Sequence, residues 1–272
     1  VTFEKLFNEY LKSPGFTKLA TRSKIIYMGS GTRISKHLGA VDVKKLKRSD
    51  FIRMQNDNAH SPASSNLLIR VASVVFSYAL DMDIVLHNPV MRLKKLKIGS
   101  HEKWSPAEVK SVIALRDRKI STAVALAWYT GQRESDILSM RWRDFDGEYV
   151  AVVQSKTKLE MKIKAHPDLI TFLKSIRGDA QSNDFVVSGP QIMKSSAFRN
   201  MLKRRLNTLG INKVFHGIRK GVASSLAENR APLSEIAAMM GHKSMRMAAY
   251  YAEQANNKVL TDNAVDSLPS CV

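Results

Sequence analysis

Gly131-Gln132-Arg133-Glu134-Ser135-Asp136 is the stretch from which the rest of the chain can be read. Gly131 breaks the helical run before it, and a short helix is predicted to carry Arg133 to Met140. Arg133 and Asp136 are three apart, so they share a face of that helix. A guanidinium stays charged and offers a planar fork of N–H donors, which suits the non-bridging oxygens of a phosphate. Asp136 is expected to orient Arg133 rather than react. Taken alone, the motif reads better as a surface ion pair or a helix end.

Further polar pieces follow along the chain. Tyr149–Val153 (YVAVV) and Met161–Ile163 alternate or run apolar, which predicts a small β-hairpin with Lys156 at its turn. A lysine there can reach a minor groove and protonate a leaving 5′ oxygen, provided its surroundings lower its pKa. Lys158 and Lys162 lie close enough to share that role, and all three also read as solvated or backbone-contacting lysines. His216 and Arg219, in His216-Gly217-Ile218-Arg219-Lys220, repeat the three-residue spacing and point the same way. His242 stands in Gly241-His242-Lys243-Ser244, and Tyr251 follows it nine positions on. Two arginines and a histidine around one phosphate can stabilise the charge of a five-coordinate phosphorus. A phenol attacking that phosphate makes a phosphotyrosine that keeps the bond energy, so the ends can rejoin without ATP. The attack needs a proton acceptor, for which His216 is the natural candidate. Composition does not separate Tyr250 from Tyr251 as the phenol.

The charge balance names the partner class. The net charge is +19, with 43 Lys+Arg against 24 Asp+Glu. Residues 1–100 hold 17 basic and 7 acidic residues, so the excess is spread over both halves. A double-stranded polyanion fits this better than a membrane surface, because neutralised phosphates release condensed counterions. The single Cys271 excludes internal disulfides and a cysteine-based zinc site, and a reducing cytoplasm fits best. The His, Asp and Glu residues show no compact metal-ligating pattern, so no metal or other cofactor is expected. No apolar run looks long enough for a membrane span, and Val1-Thr2-Phe3-Glu4-Lys5 is not a signal peptide.

Two domains fit 272 residues. Residues 1–90 read as short helices around Ser64–Leu80 (SSNLLIRVASVVFSYAL), the expected spine. Gly29-Ser30-Gly31-Thr32-Arg33 lacks the ending of a phosphate loop and is read as a helix interruption. Residues 91–104 read as a basic linker whose Lys94, Lys95 and Lys97 are candidate DNA contacts. Residues 105–272 form the second domain, opening on a capping box at Ser105-Pro106-Ala107-Glu108. Ser195–Leu209 is amphipathic, with Arg199, Lys203, Arg204 and Arg205 as candidate DNA-binding residues.

The series Arg133, Lys156, His216-x-x-Arg219, Gly241-His242 and Tyr251 resembles the tyrosine recombinase (phage integrase) family over about Ser105–Ala252. Residues 1–90 resemble that family's helical core-binding domain only loosely. The resemblance implies a mainly α protein: a helical core-binding domain, then a mixed α/β, mostly helical catalytic domain with a small hairpin, closing as a C-shaped clamp on DNA. Gly131-Gln132-Arg133-Glu134-Ser135-Asp136 matches the opening motif of the family's site, and Lys156-Thr157 its hairpin lysine. The nine-residue spacing after His242 selects Tyr251 over Tyr250. Metal-free strand cleavage through a 3′-phosphotyrosine and a free 5′-hydroxyl is implied, as is a homotetramer on synapsed sites with accessory DNA-bending proteins as further partners. Ala248-Ala249-Tyr250 departs from relatives that carry Thr, a polar residue and Arg before the nucleophile. The segment from Tyr251 to Val272, with Val259, Leu260 and Val265, is expected to pack on a neighbouring protomer, the alternative being a tail helix on its own domain. The non-Met start leaves room for a preceding arm-binding domain. The rivals are a type IB topoisomerase and a non-catalytic DNA-binding derivative.

Overall fold

The computed structural model describes residues 1–115, 117–242, 244–253, 255 and 257–266, apart from the side chains of Tyr251, Ala252, Asn257, Asp262 and Asn263. Lys243, Cys271 and the end of the tail, residues 267–272, lie outside the described residues. The chain divides into two units, Val1–Ser100 and His101–Val272.

The first unit holds α1 (Phe3–Tyr10), α2 (Pro14–Thr17), α3 (Thr21–Leu38), α4 (Arg48–Asp57) and α5 (Pro62–Asp81). The spine is α5, whose Leu68, Val71, Ala72, Val75, Phe76 and Ala79 are buried. Phe3, Leu6, Phe7 and Tyr10 of α1 complete this core. Each such large side chain contributes about 2 kcal/mol when fully buried. Contrary to expectation, α5 is long and apolar enough to cross a membrane, with 20 residues and a mean hydropathy of 1.3. Its packing against α1, α3 and α4 accounts for that apolarity.

The expected interruption at Gly29–Arg33 is absent, and α3 runs through it. Gly31 is there because α1 crosses at that point: a Cβ on it would lie 1.9 Å from Phe7 Cζ. The glycine makes room for a ring and does not end the helix.

The stretch expected as a linker divides between the two units. Gln55 Nε2 donates to the Lys94 carbonyl at 2.9 Å, and Asn66 exchanges two 2.8 Å bonds with the Leu96 backbone. Arg48 donates to the carbonyls of Met91 and Arg92. The backbone of 91–97 is thus fastened to the first unit, while Lys94, Lys95 and Lys97 stay exposed. Trp104, by contrast, is buried in the second unit's core.

The second unit holds α6 (Pro106–Ile113), α7 (Arg118–Thr130), α8 (Glu134–Ser139), β1 (Tyr149–Val153), β2 (Glu160–Lys164), α9 (Pro167–Arg177), α10 (Ser195–Thr208), α11 (His216–Glu228), α12 (Leu233–Met240), α13 (Met245–Ala252) and α14 (Asn257–Asp266). The capping box forms as expected, with Ser105 N donating to Glu108 at 2.7 Å and Glu108 N to Ser105 Oγ at 3.2 Å. Buried on nearly every side, α7 is the axis of this unit. The hairpin is antiparallel, pairing Tyr149 with Lys164 and Val153 with Glu160. Val150, Val152 and Ile163 turn inward from it. The tail helix α14 lies against α11 of its own unit, and Asp266 pairs with Arg230 at 3.0 Å. Val259 and Leu260 are half-buried and Val265 is exposed. The described part of the tail thus lies on its own unit, with the exposed Arg230–Asp266 pair at its end.

Candidate active site

Two helix ends meet at the centre of the second unit. Gly131 closes α7 and Gly241 closes α12, both in the left-handed conformation. Each glycine also lies against a neighbour. A Cβ on Gly131 would come 2.6 Å from Met240 Sδ, and one on Gly241 would come 2.3 Å from Gln154 Nε2. The chain turns sharply after each helix, which delivers Arg133 from one turn and His242 from the other.

Arg219, on the first turn of α11, is buried between these ends. It donates to the Gly131 carbonyl and, at 2.5 Å, to the Met240 carbonyl. A cation at two helix C-termini meets the negative ends of two dipoles. The planar fork is held, and the charge stays next to the site.

Arg133 precedes α8 in extended conformation instead of riding on it. Its Nη1 donates to Gln154 Oε1 at 2.8 Å and lies 3.9 Å from Asp136 Oδ2. Asp136 was expected to orient this arginine, but its short bonds go elsewhere. Its Oδ1 accepts from Ser155 N at 2.9 Å and from Ser155 Oγ at 2.6 Å. The chief partner of the buried carboxylate is therefore the hairpin turn. Arg133 leaves the shared helical face because it stands one residue before the helix begins.

Two glutamines that the sequence reading passed over connect these parts. Gln154 Nε2 donates to Gln132 Oε1 at 2.7 Å and to the Met240 carbonyl at 3.1 Å. Gln132 Nε2 in turn donates to the carbonyls of Thr130 and Met239. Both side chains are buried. Glutamines are ordinary surface residues, and only their places inside two site motifs could have marked them.

Lys156 stands on the exposed turn between β1 and β2, as expected from the hairpin. Lys162 instead pairs with Asp146 at 3.0 Å and lies over the Tyr149 ring, so it is turned to other work. Lys158 takes a positive φ of 58° in the turn.

Both histidines titrate below their ordinary range. Partial burial, then the charges of Arg219, His101, Lys220 and Arg133, hold His216 below the usual 6.5. His242 is pushed down to about 4 by burial and by Arg219 and Arg133. The same two arginines depress both rings. Near neutral pH the imidazoles are therefore neutral, each offering one N–H donor and one acceptor nitrogen beside two fixed positive charges. The His101 ring stands edge-on to His216, with centroids 6.3 Å apart, and the His101 carbonyl accepts from the buried Lys220 at 2.8 Å. His101 is a neighbour of the site that its motif-free surroundings concealed.

Tyr251 lies on the last turn of α13, a helix packed on both α11 and α12. Its side chain lies outside the described part of the structure, whereas Tyr250 is exposed. On α10, Phe198, Leu202 and Leu206 face the core. Arg199 pairs with Glu134 and Arg205 with Asp117, each at 2.9 Å, and Arg204 donates to the Asn200 carbonyl. Lys203 is exposed. Among the described residues no group of three or more His, Cys, Asp and Glu side chains could hold a metal.

The fold has close counterparts. A lambda integrase dimer bound to a COC′ core site superposes with a TM-score of 0.82 at 21% identity, over 93% of this chain and 96% of that one. The Tn1549 transposon integrase in complex with a circular intermediate DNA gives 0.80 at 15%, over 98% and 99%. In sequence, a tyrosine recombinase XerC-like protein of Caldanaerobacter subterraneus subsp. tengcongensis is 25% identical over 83% of this chain and 71% of its own. The integrase of Escherichia phage lambda is 23% identical over 93% and 76%. The profile of the Phage integrase family matches residues 105–258, a span that includes every candidate residue from Arg133 to Tyr251, and the chain belongs to that family.

Proposed function

We propose that Arg133, Lys156, His216, Arg219, His242 and Tyr251 carry out the DNA strand breaking and rejoining of a site-specific recombinase. The observation that carries this reading is the meeting of Arg133, Arg219 and the His242 turn at the ends of α7 and α12, packed beside the helix that bears Tyr251. The arginines bind the non-bridging oxygens of one phosphodiester and offset the charge that grows on phosphorus. The Tyr251 phenol oxygen forms a bond to phosphorus while the bond to the 5′ oxygen breaks. The phenol proton passes to His216, and the leaving 5′ oxygen takes a proton from Lys156. A 3′-phosphotyrosine and a free 5′-hydroxyl result, and the reverse attack rejoins the strand.

Both units grip duplex DNA in this reading, since each carries a large positive excess. Lys94, Lys95 and Lys97 in the first unit are exposed cations suited to phosphates, and so is Lys203 on α10 in the second, where Arg199, Arg204 and Arg205 share its helix. Four protomers on two synapsed sites, as in the lambda integrase tetramer bound to a Holliday junction, give paired strand exchange. The cytoplasm fits a DNA substrate and a chain with one cysteine.

The test is covalent trapping on a nicked duplex drawn from the DNA flanking the coding sequence. The wild type should give a protein–DNA adduct and Tyr251→Phe none. Absence of an adduct with the wild type removes the catalytic reading, and an adduct with Tyr251→Phe moves the nucleophile to Tyr250. Recombinant products separate this activity from relaxation of supercoils.

A further inference from the structure

We infer that Gln154 is a positioning residue that sets the Lys156 turn against the phosphate site. This rests on the proposed role of Lys156 as proton donor to the leaving oxygen. A glutamine amide has two acceptor positions and two donor hydrogens. Gln154 uses all four. Its Oε1 accepts from Arg133 Nη1 at 2.8 Å and from Thr157 Oγ1 at 2.7 Å. Its Nε2 donates to Gln132 Oε1 at 2.7 Å and to the Met240 carbonyl at 3.1 Å. The three segments that deliver Arg133, Lys156 and His242 therefore meet on one fully buried amide.

The backbone of the same residue closes the turn. Gln154 N donates to the Leu159 carbonyl at 2.9 Å, and Lys158 N donates to the Gln154 carbonyl at 2.8 Å. Beyond this closure the turn is held by Ser155 on Asp136 and by Thr157 on the Gln154 amide. Lys156 stands between those two anchors. Gly241 bears independent witness to the arrangement, because a side chain there would collide with Gln154 Nε2 at 2.3 Å. The amide thus occupies the space that a side chain in the Gly241-His242 turn would need. A side chain fixed by four bonds at the base of an otherwise exposed turn determines where the lysine on that turn stands.

The chemistry of the leaving group separates placement of Lys156 from general damage. In cleavage the 5′ oxygen departs with the electron pair and must be protonated. A 5′ sulfur in its place departs as a thiolate, which is stable near neutral pH without a proton donor. Single-turnover cleavage is measured on the flanking-DNA nicked duplex with either oxygen or sulfur at the bridging position. On oxygen, Lys156→Ala and Gln154→Met should each lose on the order of 100-fold, the scale of a lost general acid. On sulfur, both should regain most of that loss. Thr157→Val cuts only the link to the turn and should show the same pattern with a smaller loss. It decides alone if Gln154→Met fails to fold, as judged by its melting transition. Full activity of the Gln154 and Thr157 variants on oxygen, or slow cleavage on both substrates, overturns the inference while Lys156→Ala still shows rescue. Absence of sulfur rescue for Lys156→Ala overturns the lysine's acid role and the inference with it.

Discussion

Arg219 Nη2 lies 2.5 Å from the carbonyl oxygen of Met240, the last residue of α12. The same carbonyl accepts from Gln154 at 3.1 Å, and the other arm of Arg219 reaches the Gly131 carbonyl at the end of α7. This one guanidinium joins two helix ends and supplies charge to the site. Arg133 has a lighter structural task, with one short bond to Gln154 and a partly exposed side chain. The two arginines should therefore separate in a stability measurement. Arg219→Ala is expected to cost about 3 kcal/mol in urea unfolding, since hydrogen bonds from a buried charged group are lost. Arg133→Ala should cost about 1 kcal/mol. Both should abolish covalent adduct formation. Equal stabilities for the two variants would contradict the structural role given to Arg219.

The depressed histidines make stability depend on acid. An unfolded histidine takes up its proton near 6.5, whereas folded His242 does so only near 4. Between those values the unfolded chain binds more protons, so stability falls as pH drops through that window. His216 is shifted in the same direction and adds to the effect. Melting temperatures of the wild type should decline from pH 7 toward pH 4. The decline should be shallower in His242→Asn. An unchanged slope in that variant would show that His242 is not held neutral.

Two glycines should respond in opposite directions to alanine. A Cβ on Gly217 would stand 2.2 Å from the Glu102 carbonyl oxygen and 2.9 Å from Trp104 Cδ1. The segment before α6 lies directly on α11 there, with Trp104 N donating to the Gly217 carbonyl at 3.2 Å. Gly217→Ala is expected to destabilise by about 1–3 kcal/mol through overpacking against backbone. Gly29 lies in the middle of α3 with nothing within 4 Å of its added Cβ. Gly29→Ala should stabilise by about 0.5–1 kcal/mol because the alanine loses less backbone entropy on folding. Denaturant midpoints measure both. A Gly217→Ala protein as stable as the wild type would mean that the 101–104 segment can lift away from α11.

Binding should respond to salt and cleavage should not respond to chelation. A protein that covers six or more phosphates loses on the order of 10³-fold in affinity between about 50 and about 200 mM salt. Fluorescence anisotropy on flanking duplex DNA measures this, and a nearly flat response would contradict a grip by both units. Adduct formation should persist in EDTA. Activity lost to EDTA and restored by magnesium would contradict phosphate activation by Arg133 and Arg219 alone.

What the sequence by itself determined is what local rules encode. The spacing of apolar residues predicts α5, the Ser105–Glu108 pattern predicts a helix start, and YVAVV with its partner run predicts the hairpin. Those features depend on residues within a turn or two of one another. The motif series also marked out the candidate site residues, of which His216 and Arg219 do share the first turn of one helix while Arg133 stands just ahead of its own. What only the tertiary structure decided involves partners far apart in the chain. Gly31 ends no helix because Phe7 of α1 fills the space its side chain would occupy. Asp136 turns from Arg133 to Ser155, and Arg199 and Arg205 are drawn into pairs with Glu134 and Asp117. The described tail helix lies against α11 of its own unit. Gln154 draws its importance from three segments that meet only after folding. A buried amide must satisfy its donors and acceptors wherever packing places them, and no local pattern announces that requirement.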